Sequence, residues 1–389
     1  MDLRGRSIHR QWCVQSGNIP KEGAWPCKKK VEARAGGPIF DRASHLLNSE
    51  VSIVSSVPNE PWAEVYSGGS PEAERLEFHQ FAQTMLKIQE KNRELASVSQ
   101  PMRTLHSKIL VGVTDARLQV DPGLPAPFHV DYFAPASSWK AAVRFSNASG
   151  VPKADYLPDM RGIAIKVQAP NGVHHDLLMT NYPISHARNA RQFVEFAVIA
   201  MGDPVSLKQR LEAQFGADEA ARMIKTVMQG MRPSQGLQNE SFWSRGALLW
   251  GDRPVRLILR PMMIDPQSES GVSTTPDSLR EVFARRVKEN PVVYRLAIQR
   301  YVNEIETPIE DAAVEWYENV SQPIEVATLV IPAQDILSPQ GMDAMKAVND
   351  LAFNPWNGPQ SFRPLGNINR ARGEVYGVSA QRWVKDPRC

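Results

Sequence analysis

The sequence predicts an α+β protein: an antiparallel β-barrel with helices packed around it. Two patterns carry that expectation. Strand-like segments follow one another with short connections from His106 to Val120 and through Trp139–Ser146, Asp159–Val167 and His174–Pro183, and short connections join antiparallel neighbours. The pattern resumes at Pro254–Pro261, Val292–Tyr301 and Ile324–Ile331, with helical patterns near 204–230, 277–289 and 308–318 between, the second like an insertion in the strand series. Thirty prolines in 389 residues argue against a helical bundle.

Residues 1–60 mix Gly, Pro, Lys and Arg without a sustained period and are expected to form an arm, either draped over the body or a neighbouring subunit or disordered. Residues 61–389 show no repeat and no linker, so one domain is expected. Ser70-Pro-Glu-Ala-Glu74 reads as a helix start, with Ser70 as cap, Pro71 in the first turn and acidic residues behind it. Leu76, Phe78, Phe81, Met85, Leu86 and Ile88 supply its apolar face before Pro101. His106 is expected at the start of the next strand. Alone, such a histidine would normally be a packed core residue. On Trp139–Ser146, Arg144 and Ser146 share one strand face and need polar partners, which an anionic ligand would supply. Asn171-Gly172 reads as the turn of a hairpin. His174 and His175 face opposite ways on a strand and cannot chelate a metal together; one is expected at the surface and the other packed.

Composition excludes several function classes. The chain is 42% hydrophobic with a formal charge of +3, too near balance to suggest nucleic acid, and Cys27-Lys-Lys-Lys30 is a short solvated run. No apolar run approaches the roughly 20 residues that span a bilayer. The N-terminus lacks the apolar stretch of about 7–15 residues that marks a secretory signal. Cys13, Cys27 and Cys389 have no metal-ligand spacing, so a reduced, cytoplasmic protein is expected.

Five motifs in order then point further. Arg103-Thr-Leu-His106-Ser-Lys, Val143-Arg-Phe-Ser146, Asp159-Met-Arg-Gly-Ile-Ala-Ile-Lys166, the run from Asp176 to Phe193, and Arg372-Gly-Glu-Val-Tyr376 together resemble the haem catalase family over about residues 75–383. The resemblance implies haem b as cofactor, His106 as distal histidine, Phe193 stacked on the haem, and Tyr376 as iron ligand with Arg372 beside it. It implies propionate pairing by Arg103 and Arg144; the third such arginine falls at or beside Trp383, where Arg382 could substitute. The distal asparagine of the family falls on Thr180, with Asn181 next to it, and Leu105 replaces the valine before the distal histidine. The chain stops soon after Tyr376, so the C-terminal helical region of full catalases and the rest of their nucleotide site are expected to be absent. This pattern is similar to short catalase-like proteins, which include peroxidases and allene oxide synthases.

The chemistry of these positions follows from the residue types. Arg372 and Tyr376 are i and i+4 and share a helix face. A tyrosine titrates near about 10, and an adjacent Arg with ferric iron would hold it as phenolate, which favours peroxide chemistry over reversible oxygen binding. Neutral His106 can take a hydroperoxide proton and return it to the leaving oxygen, with Ser146 fixing the imidazole. Three functions are therefore carried forward: a haem peroxidase with weak catalase activity, acting on hydrogen peroxide or an organic hydroperoxide with a small organic donor; a hydroperoxide isomerase or dehydratase, or another specialised oxidative enzyme on a small molecule; and a haem-binding protein with little turnover. A distal base is unnecessary for the third. A homo-oligomer is compatible with the arm, and the oligomeric state is left open.

Overall fold

The computed structural model describes residues 61–264 and 275–385, with side chains through residue 380. The expected arm at 1–60, the three cysteines and the side chains of Arg382 and Trp383 lie outside the described residues.

The strands are β1 (Ile109–Val120), β2 (Ser138–Asn147), β3 (Arg161–Gln168), β4 (His174–Thr180), β5 (Phe242–Ser244), β6 (Leu248–Trp250), β7 (Arg253–Pro261), β8 (Val292–Arg300) and β9 (Ile324–Ile331). Their order is β5-β4-β3-β2-β1-β9-β8-β7-β6, and β5 also pairs with β7, which closes eight of them into an antiparallel barrel. Alternation sets two faces. Val143, Phe145, Ile163, Ile165, Leu177 and Met179 point inward to a core that Leu257, Leu259, Leu296, Leu329 and Phe283 complete. Burying such side chains contributes roughly 1.5–3 kcal/mol each before the entropy of ordering is counted.

Around the barrel lie α1 (Pro71–Leu95), α2 (Ala190–Ala200), α3 (Leu207–Phe215), α4 (Ala217–Gly230), α5 (Ser278–Glu289), α6 (Pro339–Asp350) and α7 (Asn367–Lys385). Ser70 Oγ accepts from Ala73 N at 3.2 Å, as the cap reading expects. Phe78, Phe81, Met85 and Ile88 of α1 pack with Val194 of α2 and Ala371 of α7. Close approach of α6 to β1 depends on Gly112, where a Cβ would lie 3.0 Å from Met345 Cα. Asn171 and Gly172 both take positive φ between β3 and β4. His174 is exposed and His175 buried, with Tyr132 Oη 2.6 Å from His175 Nδ1.

Three expectations need correction. The first strand begins at Ile109, so His106 precedes it rather than starting it. The helix expected near 308–318 does not form. The backbone there bonds to other segments instead: Ala312 N to Arg188 O at 2.9 Å, and Ser185 N to Ala312 O at 2.9 Å. Finally, α6, β5 and β6 had no counterpart among the expected elements. No helix among the described residues is long and apolar enough to cross a membrane.

Candidate active site

The site lies on the outer face of the barrel. Strand register puts Ser146 opposite Gly162, and Gly162 opposite Thr180, in one row across β2, β3 and β4. Onto that row folds the segment that carries His106. Gln89 of α1 donates to Met102 O at 2.6 Å, and Asn92 to Thr104 O at 2.9 Å. His106 N–H donates to Ala148 O at 2.9 Å. These bonds hold His106 at φ 56, a left-handed conformation that a non-glycine residue adopts only when its surroundings fix it. The imidazole then lies against Gly162, where a Cβ would come within 2.6 Å of Nδ1. His106 Nδ1 is 3.0 Å from Ser146 Oγ.

Arg144 shares that outer face. Its guanidinium donates to His106 O at 2.9 Å and to Asn349 Oδ1 at 3.2 Å. Arg103 donates to Asn349 O at 3.0 Å and Leu351 O at 2.7 Å, so the end of α6 holds both arginines. Burial pushes the Arg103 guanidinium down to about 10, against the opposing charges of Tyr376 and Asp350. Burial also lowers Arg144, and the Arg103 charge adds to the effect. On α7, Arg372 donates to Asn369 Oδ1 at 3.0 Å and to Tyr376 Oη at 3.4 Å, with its guanidinium 5.3 Å from the centre of the Tyr376 ring.

His106 connects these parts electrostatically. Its burial, then the charges of Arg144, Arg245, Arg372 and Arg103, hold it at about 3, so it is neutral at ordinary pH. The residue as a whole is half-buried. Phe193 and Tyr376 are half-buried too, Phe193 in the layer between α1, α2 and α7.

Thr180 and Asn181 separate by face. Thr180 Oγ1 is buried on the site row and has no hydrogen-bond partner. Asn181 turns away: its Oδ1 accepts from Arg161 N at 2.8 Å and its Nδ2 donates to Glu240 Oε2 at 3.2 Å. Among other tyrosines, Tyr294 bonds to Leu237 O at 2.7 Å and Tyr182 to Gln229 Oε1 at 2.7 Å, while Tyr301 Oη lies 3.5 Å from Glu304.

Sequence reading missed Arg245, His186 and Asn349. No spacing signal marks them; only the closed sheet brings the bend after β5 beside β3. Among the described residues no cluster of three or more His, Cys, Asp or Glu side chains could hold a metal ion.

No family model and no curated protein sequence matches the chain. Solved structures do. A fungal catalase aligns at TM-score 0.57 and 16% identity over 85% of this chain and 66% of its own. A bacterial catalase gives 0.55 and 16% over 84% and 64%. Catalase A from Saccharomyces cerevisiae gives 0.59 and 15% over 85% and 69%. The fold is catalase-like. This catalase-like chain spans about two thirds of the length of the proteins it matches, and the likeness speaks for architecture, not activity.

Proposed function

We propose that the protein is a haem peroxidase that uses hydrogen peroxide or an organic hydroperoxide and dismutates hydrogen peroxide only weakly. The observation that carries this reading is a neutral His106 fixed by Ser146 and set within the field of Arg372, the partner of Tyr376.

The residues suit an anionic cofactor such as haem b. Arg144, Arg245 and Arg372 bond to carbonyls, an amide, a thioether and a phenol, and to no carboxylate among the described residues. Buried cations without anions call for an anionic ligand. Arg103 and Arg144 would take its carboxylates, Phe193 would cover a ring face, and Tyr376 would ligate the iron through its oxygen. Arg382 is proposed as a further propionate partner on the resemblance alone. When bound, haem supplies the iron at which a peroxide O–O bond can break.

What the chain itself does follows from geometry. In the tautomer that donates Nδ1–H to Ser146 Oγ, His106 Nε2 is bare and can accept a peroxide proton and pass it to the departing oxygen. Carboxylates held by Arg103 and Arg144 would cancel part of the field that weakens His106 as a base. Thr180 offers one hydroxyl where an amide would offer more, so a second peroxide molecule is poorly positioned, and misplacement alone can cost on the order of a hundredfold. Leu105 adds bulk beside the histidine.

The test is oxygen evolution from hydrogen peroxide measured beside oxidation of an organic donor. Donor oxidation should clearly exceed oxygen evolution. Oxygen release at the rate of a full-length catalase would overturn the reading of Thr180 and Leu105.

A further inference from the structure

At one end of the barrel, beside the turn between β6 and β7, a cleft encloses about 220 Å³. Its floor is Val255 and Ile298, which face inward as part of the core, whereas the row of Ser146, Gly162 and Thr180 lies on the outer face. No residue of the candidate active site lines it. The mouth of a barrel is a recurrent place for small-molecule sites.

Trp62, Phe128, Trp250 and Tyr301 supply aromatic walls. Trp62 Nε1 donates to Asp252 O at 3.1 Å, and Trp250 Nε1 to Phe128 O at 3.1 Å. With both indole N–H groups spent on backbone carbonyls, the rings are fixed and offer faces rather than donors. The charge comes from β8. Tyr294, Leu296 and Ile298 form its inward row, and Arg300 takes the next place, where alternation calls for an apolar residue. Its guanidinium lies 6.0 Å from the centre of the Phe128 ring and has no hydrogen bond or ion pair among the described residues. Arg253, the other cation of the cleft, has Asp252 at 3.5 Å. Arg300 is therefore the charge left without a counter-ion.

We propose that this cleft binds a small aromatic anion, a planar ring bearing one carboxylate or phosphate group. The ring lies against the aromatic walls and the anionic group meets Arg300. Fixed ring faces and an unanswered planar guanidinium select the two halves of such a ligand together. An aliphatic acid lacks the stacking, and a neutral ring leaves Arg300 unpaired. At about 220 Å³ the cleft is below the roughly 300–1,000 Å³ of drug-sized sites, so the ligand is small. The proposal is independent of the peroxidase reading, since the two share no residue.

The experiment is isothermal titration of the full-length protein with naphthoate, naphthyl phosphate, neutral naphthalenemethanol and decanoate. Wild type should bind one or both naphthyl anions at least about tenfold more tightly than the other two, the order of a charge-assisted hydrogen bond. The tighter of the two anions identifies the group that Arg300 takes. Arg300→Gln should bring that anion down to the affinity of naphthalenemethanol and leave naphthalenemethanol itself unchanged, while Arg300→Lys should keep part of the preference. Trp62→Ala should weaken both aromatic ligands alike. Since Arg300 has no partner among the described residues, Arg300→Gln should melt at the wild-type temperature. A markedly lower melting temperature would overturn the proposal, because the arginine would then serve the fold. So would an undiminished preference in Arg300→Gln, decanoate bound as tightly as the naphthyl anions, or no binding of either anion by wild type.

Discussion

Arg370 and Arg372 stand two residues apart on α7 and are satisfied in opposite ways. Arg370 meets Glu74 at 2.6 Å, Glu64 at 2.8 Å and Glu310 at 2.9 Å. Although its burial opposes the charge, those carboxylates raise its affinity for the proton, and the bonds from Arg370 help keep Glu74 below the usual carboxylate range despite burial. Arg372 bonds to an amide and a phenol and lies near Arg245, whose guanidinium burial brings down to about 10. One face of the helix is complete within the chain. The other meets only neutral groups among the described residues, which is the contrast expected between scaffold and site.

The largest effect should come from His106, on which all four site arginines act. His106→Ala should keep haem but slow peroxide cleavage by roughly 10²–10⁴-fold in rapid mixing, the loss typical of a general acid–base group. Equal rates in the two proteins would contradict its role.

Next is stability, which bears on the comparison itself. Arg370→Met takes the arginine from Glu74 and Glu310, while Glu64 keeps Arg363, and should cost about 3–5 kcal/mol in denaturant unfolding of the haem-free protein. Arg144→Met removes a cation that no carboxylate of the described chain needs, so its cost there should stay within about 1–2 kcal/mol. Its deficit should instead show in the haem-loaded form, as a smaller gain in Tm on loading. Equal costs for the two variants would erase the distinction between the faces.

The comparison also predicts a pH dependence. His106, His175 and His186 are each held at about 3 by burial, with neighbouring arginine charges adding for the first and third. Because the unfolded chain binds protons near about 6.5, the contribution of these groups to stability is whole above that pH and is lost as pH falls toward 3. Midpoints from pH 8 down to 4 should therefore drop below about pH 6.5. A flat profile would mean that the rings are more open to water than the structure shows.

The barrel was legible because alternation and short connections are local signals, and the capped α1 likewise. The helix expected near 308–318 failed because bonds to Arg188 and Ser185 replace helical ones, which no local pattern reveals. At the site, His106, Ser146, Arg144 and Arg372–Tyr376 were readable as motifs. Their assembly was not, since the left-handed turn at His106 depends on Gln89, Asn92 and Ala148 reaching it from elsewhere. Whether Thr180 or Asn181 faced the cleft was a matter of strand phase, open until the register fixed it. Arg245 and His186 carry no motif and emerge only from burial and missing partners.

The most direct measurement is the visible spectrum of the protein reconstituted with haem b, wild type beside Tyr376→Phe. Wild type should show high-spin ferric haem with a phenolate ligand, and the variant should lose most of its haem or change spectrum outright. An identical spectrum from the variant would show that Tyr376 is not the ligand and would contradict the reading of the Arg372–Tyr376 pair as the iron-binding side.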